Sequence, residues 1–254
     1  MDIIKSLKAK ALNWSLPKPY QCRHIEYSTV ASAEDDFGWP NERLIELSLA
    51  AANHARSINL SSICKRMPAP PFYPDIWPGE HYKLLAGLVL ELQPRRIVEI
   101  GTFTGLGSLS LLSKMPADCE LVTVDIIPWG KIPGAVLRQS DFEANRFRQI
   151  IGDLGNPVFF ASFADVLCEC NLLFVDGPKD VVFENAFLKN LETISPQKDA
   201  LLLFDDIRLW NMLKIWRQIA RPKLDLTSFG HWSGTGIVDW NASPTPFGPS
   251  RASP

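Results

Sequence analysis

The chain has no basic run, no long apolar run, no paired C-x-x-C spacing and no internal repeat, and each absence removes a class of function. Its 26 Lys and Arg against 28 Asp and Glu leave a formal net charge of −2, without the clustered cations that displace counterions from a nucleic-acid backbone. No stretch approaches the roughly 18 apolar residues of a membrane span, and the first residues lack the continuous apolar core of a secretory signal. The expectation is a soluble, cytoplasmic protein with no transmembrane segment. Five cysteines (Cys22, Cys64, Cys119, Cys168 and Cys170) are an odd number without zinc-type spacing and read as reduced thiols. What remains is a chain of 254 residues, 46% hydrophobic and 21% charged, long enough for one substantial core with an added cap and suited to small-molecule chemistry.

The most informative segment is RIVEIGTFTGLGS over residues 96–108. Ile97, Val98 and Ile100 suit a buried parallel strand, and Gly101, Gly105 and Gly107 let the backbone pass close to a ligand and into a helix N-terminus. A dinucleotide fingerprint reads G-x-G-x-x-G. Here the order is E-x-G-x-x-x-G-x-G. It resembles motif I of the class I S-adenosylmethionine (SAM) methyltransferases, and among them the O-methyltransferases whose turn reads E-x-G-x-x-x-G.

Around this turn the chain alternates. Strand candidates lie at 96–100, 120–125, 148–152, 171–176 and 200–205, with helical stretches at 80–92, 106–114, 159–167, 181–191 and 209–220. Alternating β and α implies a doubly wound α/β fold, a mainly parallel sheet with helices on both faces. Residues 224–229 and 236–240 flank a Gly- and Ser-containing connection and read as a C-terminal hairpin. The resemblance implies the same ending, with an antiparallel seventh strand inserted in the sheet. Residues 1–75 read as an N-terminal cap and arm, with a helix at 42–57 and a proline-rich, extended stretch at 67–80. Residues 76–241 form the SAM-binding domain that the resemblance implies, and 242–254 a frayed tail. Ile3, Ile4, Leu7, Leu12 and Trp14, with Lys5, Lys8 and Lys10, suit a helix docked on its own domain, or a basic amphipathic helix at a membrane surface. The proline-rich arm could also wrap a second subunit, as in a homodimer.

In doubly wound sheets a ligand lies beyond the carboxyl ends of the strands, so strand-terminal polar residues are candidates. The resemblance puts Glu99 and Gly101 beside the methionine part of SAM and makes Thr102, Phe103 and Gly105 of the same turn cofactor-binding residues. It gives Asp125 the ribose hydroxyls and Asp153 the adenine end. Related turns carry Tyr-Ser where this chain has Leu106-Gly107, so a side-chain bond to the SAM carboxylate passes to Ser108 or is absent. The alternative for the acids is that they only cap the helices that follow.

Strand four ends LLFVDGPKD (172–180) and strand five ends LLLFDDIRLWN (201–211), which brings Asp176, Asp205 and Asp206 within reach of one point. Three crowded carboxylates repel unless a proton or cation intervenes, and hard oxygen ligands suit Mg²⁺, then Mn²⁺ or Ca²⁺. The D-x-x-K and the acidic pair resemble the cation-dependent O-methyltransferases of the catechol and caffeoyl-CoA type. Asp205-Asp206, in place of Asp-Asn, is closer to bacterial sugar O-methyltransferases. The resemblance covers residues 77–240 and implies that Asp176, Asp205 and Asp206 are metal ligands, that Asp176 also borders SAM, and that Lys179 is the general base.

His231, in FGHWSGTG (229–236), could contact the acceptor or serve as the base, although packing beside Trp232 would also retain it. Trp77, Glu80, His81 and Tyr82 could wall the SAM pocket, with Tyr82 suited to helix packing and His81 open. Arg208 and Trp210 could shape the acceptor site, although Trp210 and Trp216 also fit core packing at helical spacing. His24 and His54 carry no readable chemistry. The implied activity is Mg²⁺-dependent methylation of a hydroxyl on a small metabolite, sugar or phenol. The alternatives are a metal-independent O- or N-methyltransferase, a non-catalytic SAM-binding protein, and a nicotinamide oxidoreductase, which the glycine spacing disfavours.

Overall fold

A computed structural model describes residues 38–243; the amphipathic stretch at 1–14, Cys22, His24 and the tail from 244 onward lie outside them. In chain order come α1 (Glu42–Ser57), α2 (Ser61–Cys64), α3 (Tyr82–Leu92), β1 (Arg96–Ile100), α4 (Leu106–Leu112), β2 (Glu120–Asp125), β3 (Phe147–Ile151), α5 (Pro157–Cys168), β4 (Leu172–Val175), α6 (Val182–Leu191), β5 (Leu201–Asp205), α7 (Met212–Gln218), β6 (Lys223–Asp225) and β7 (Thr235–Asp239). The seven strands form one sheet in the order β3-β2-β1-β4-β5-β7-β6. Pairings are parallel from β3 through β5, and β7 runs antiparallel to both β5 and β6. This is the inserted, reversed seventh strand that the class I methyltransferase resemblance implied.

Two-residue alternation sorts the strands onto two covered faces. Ile97, Leu121, Phe174, Leu203 and Ile237 join Leu44, Ala51, Leu84 and Leu88 of α1 and α3 on one side. Val98, Val122, Leu173, Phe204 and Val238 meet Phe160, Phe187 and Trp216 on the other. A strand buried on both faces needs nearly continuous apolar residues, each contributing roughly 1.5–3 kcal/mol when fully buried. Within β1 the exception is Glu99, at 1% exposure.

Helix ends are closed by side chains. Asn41 accepts from Leu44 N at 2.9 Å to cap α1, and its amide donates to Asp239 Oδ2 at 3.0 Å, tying the helix to β7. Pro157 follows the Asn156 cap of α5. Lys223, 1% exposed, donates to the carbonyls of Trp216, Arg217 and Ile219 at 2.7–3.1 Å and so satisfies the C-terminus of α7. The proline-rich stretch contains a short 3₁₀ turn at Tyr73–Asp75. Among the described residues no helix is long and apolar enough to cross a membrane.

Gly87 sets the approach of α3 to α1: a Cβ there would lie 2.3 Å from the Ala51 carbonyl oxygen. Alanine normally favours a helix by about 1 kcal/mol over glycine, but here the clash is with backbone. Gly87→Ala should therefore destabilise by about 1–3 kcal/mol, seen as a lower thermal midpoint by circular dichroism. A raised midpoint would mean that the helices part without cost.

Candidate active site

The strand order reverses between β1 and β4, and beyond the carboxyl ends of the neighbouring strands lies a cavity of about 550 Å³. Its lining includes Gly101, Phe103, Asp125, Asp153, Asp176 and Lys179. Gly101, at φ +94°, donates to Val124 O, and a Cβ on it would fall 2.1 Å from the Asp176 carbonyl oxygen. Only glycine lets β1 leave the sheet this close to β4. Asp125 is held at the rim, its two carboxylate oxygens accepting from Phe103 N and Ile127 N, each at 3.0 Å. Asp153 accepts from Gly155 N at 2.8 Å while facing the cavity.

Three turn residues lie behind that wall. Ser108 is fully buried and its hydroxyl donates to Glu99. Thr102 is buried, 2.8 Å from Thr123 Oγ1 and accepting from Gln149 Nε2 at 3.0 Å. Glu99 points toward α4, where a Cβ on Gly107 would sit 2.4 Å from its Oε1. The last glycine of the motif thus makes room for a buried carboxyl. Gly105, at φ +88°, opens α4.

Beside the cavity, Asp176, Asp205 and Asp206 each bring one carboxylate oxygen within 4.8 Å of the others. The Lys179 ammonium lies among them, paired with Asp176 and, at 3.0 Å, with Asp206 Oδ2. Asp206 also accepts from Ser233 and lies 3.2 Å from His231 Nδ1. His81, 3% exposed at the start of α3, has Nδ1 3.3 Å from Asp205 Oδ1. Glu80 Oε2 lies 3.8 Å from His231 Nε2. The loop after β4 is secured by Glu184, which accepts from Lys179 N at 2.9 Å and from Val181 N at 2.8 Å. Phe103, Lys179, Val181, Asp206 and Trp210 are five of the seven described non-glycine residues with positive φ. Backbone strain therefore concentrates around this site, where surrounding contacts must enforce it.

The charges are strongly interdependent. Burial raises the Asp176 carboxyl above the usual range, with Asp205 adding to the rise and Lys179 opposing it. Asp206 goes the other way: burial opposes its charge, but the bonds from His231 and Ser233 and the Lys179 ammonium hold its carboxyl well below the usual range. Burial also opposes protonation of His81, yet Asp205, Asp176 and Glu80 push it up to about 9. Lys179, despite its burial, holds its proton more tightly than a free lysine because of Asp176, Asp206 and Asp205. The bond to Asp206 raises His231.

Elsewhere the aromatic residues divide. Trp216 is core, whereas Trp210 is 75% exposed beside the site, contrary to the helical-spacing expectation; it precedes α7, in a left-handed turn. Arg208 pairs with Asp225 of β6, and Tyr82 packs against His81 at 4.4 Å between ring centroids. His54 makes an exposed contact with Glu91, and Cys64, Cys119, Cys168 and Cys170 are free thiols. Glu80 and His81, expected as walls of the SAM pocket, are not among the residues that line the cavity and meet His231 and Asp205 instead; Glu184, at the start of α6, had no signal in the sequence spacing.

Burial raises the Glu99 carboxyl from about 4.5 to about 8, against the bonds from Ser108 and Thr123. Between those values the folded state binds a proton that the unfolded chain does not, so this group's contribution to stability falls as pH rises through that window. Glu99→Gln should flatten the decline, measured by urea unfolding at several pH values across it. Identical slopes in both proteins would place an ionised Glu99 in the fold.

No protein-family model and no curated protein matches the chain. It is similar in structure to a methyltransferase from Geobacter sulfurreducens (17% identity, 92% of this chain and 94% of that one, TM-score 0.47). It is similar also to S-adenosylhomocysteine-bound PaMTH1 from Podospora anserina (15%, 80% and 89%, TM-score 0.45). A third is the O-methyltransferase TomG from Streptomyces achromogenes in complex with SAM (18%, 78% and 90%, TM-score 0.45).

Proposed function

We propose that the protein is a SAM-dependent O-methyltransferase that acts on a hydroxyl of a small sugar, phenolic or related acceptor, with Mg²⁺ or a similar dication held by Asp176, Asp205 and Asp206. The observation that carries this reading is the adjacency of two features: a glycine-turn cavity rimmed by Asp125 and Asp153, and a carboxylate trio whose oxygens lie within 4.8 Å of one another. The trio fits a hard cation, because its members already draw a buried ammonium into their midst.

SAM supplies an activated methyl group, so the protein must mainly align an oxygen nucleophile and manage its proton. A divalent ion at the trio would make an acceptor hydroxyl easier to deprotonate. Asp125 suits the ribose hydroxyls, since its carboxylate is fixed at the rim by two backbone donors. Asp153 also lines the cavity, where it can accept from an adenine amine. Lys179 is the candidate base. The carboxylates that keep it protonated are the same ones assigned to the cation, so drawing them away from the ammonium releases its hold on the proton. His231, bonded to Asp206 on the other side, is the base in a second, metal-independent reading, favoured by the fact that Lys179 already supplies a positive charge to the trio.

Asp125→Ala should weaken S-adenosylhomocysteine binding on the order of tenfold or more, by isothermal titration. Asp205→Ala should leave that affinity intact and abolish methyl transfer to every member of a sugar and phenol panel. Equal loss of cofactor affinity in both variants would overturn this division, and transfer that survives EDTA would select the His231 reading.

A further inference from the structure

Asp205 faces a second set of ligands. Its carboxylate also meets His81 and His231, and one donor atom from each of these three residues lies within 4.8 Å of the others. We propose that His81, Asp205 and His231 form a separate cation site, suited to a transition-metal dication such as Zn²⁺ or Fe²⁺ rather than to Mg²⁺. The proposal is independent of whether the neighbouring cavity holds SAM.

His81 supplies the independent observation. It is 3% exposed, and among the described residues Nε2 has no hydrogen-bonding partner, while Nδ1 meets Asp205 Oδ1 only as an ion pair at 3.3 Å without the alignment of a bond. Buried imidazoles are almost always bonded, and one left open beside a carboxylate and a second imidazole is placed as a ligand would be. Its plane is fixed by Tyr82 at 4.4 Å and Phe174 at 5.5 Å between centroids, and the His231 ring stands nearly perpendicular to it at 5.8 Å.

The other members are anchored as well. His231 N donates to Thr235 Oγ1 at 3.0 Å, and a bridge between Gly79 and His231 joins the chain before α3 to the β6–β7 connection. Ser233 Oγ lies 2.6 Å from His231 Nδ1, and Glu80 Oε2 lies 3.8 Å from Nε2. Nδ1 is the nitrogen that faces Asp205, at 3.8 Å from Oδ2, so an ion there displaces the Ser233 and Asp206 contacts on Nδ1, and Glu80 beside Nε2 is the outer partner that orients the ring. The His231 side chain is partly exposed, which gives an ion a way in.

Ligand chemistry sorts the two sites. Two imidazoles and one carboxylate suit zinc and iron, whereas magnesium keeps to oxygen and water. Asp205 belongs to both sets, so the sites adjoin and share one carboxylate.

The test uses Co²⁺ as a spectroscopic probe on the full chain, stripped of metal and then held in excess MgCl₂ without SAM. One equivalent of Co²⁺ should bind, with a visible ligand-field band and paramagnetically shifted imidazole N–H resonances from two histidines. The band should vanish in His81→Gln and in His231→Gln and persist in Asp176→Asn. Failure to take up Co²⁺ over Mg²⁺, or a band indifferent to both histidine substitutions, overturns the proposal. If His81→Gln does not fold, His231→Gln, at a partly exposed position, and the resonances of the unsubstituted protein decide the question.

Discussion

Too many negative charges meet at one end of this sheet, and the rest of the site exists to compensate them. Glu80, Asp176, Asp205 and Asp206 converge where burial removes most of the water that would otherwise screen them. Like charges in such a place must be protonated, paired or bound to a cation. The chain answers with Lys179 between Asp176 and Asp206, and with His81 and His231 flanking Asp205 and Asp206. Each of these cations holds its proton more tightly than it would in water. A collection of acids that has to recruit its own positive charge is costly for stability alone, and its position beside a cavity gives that cost a purpose.

The fold delivers the acids to this point by an ordinary route. Strands buried on both faces run parallel, so their carboxyl ends gather on one edge, and the crossover reversal between β1 and β4 opens a crevice there. Gly101 then allows the two halves to touch, since any side chain would strike the Asp176 carbonyl. β7 matters as much. Running antiparallel beside β5, it returns Ser233 and His231 to the same edge from the preceding connection, and Thr235 pairs with Asp205 in register.

The parts legible in the sequence are those encoded locally. The alternation of Ile97, Val98 and Ile100, the glycine spacing and the acids closing β2, β4 and β5 are short-range signals, and the strands and the carboxylate trio stand where those signals put them. Ser108 shows the limit of such reading: its hydroxyl is occupied by Glu99, a buried partner on the neighbouring strand. Glu184 carries no local pattern at all, and Glu80 and His81 were placed at the SAM pocket, not against Asp205 and His231. Their approach depends on how α3 and α6 pack on the sheet, as does the burial of Lys223 under α7. Trp210 misled for the opposite reason, because helical spacing was read through a segment that turns left-handed before α7 begins.

The same interdependence bears on how the site can work. Lys179 has two carboxylate partners, and both belong to the trio assigned to the dication. Ammonium and dication therefore compete for the same negative charge, and whatever occupies the trio sets the proton affinity of the lysine beside it. His231 and His81 are coupled to that trio through Asp206 and Asp205. Removing any one carboxylate thus alters the charge state of several neighbours at once, and the effects of single substitutions here should be far from additive. The two histidines and the lysine differ in what they offer a cation: the lysine only repels it, whereas the imidazoles can exchange their protons for it. That asymmetry assigns a hard ion to the carboxylate trio and leaves the two imidazoles to an ion that accepts nitrogen.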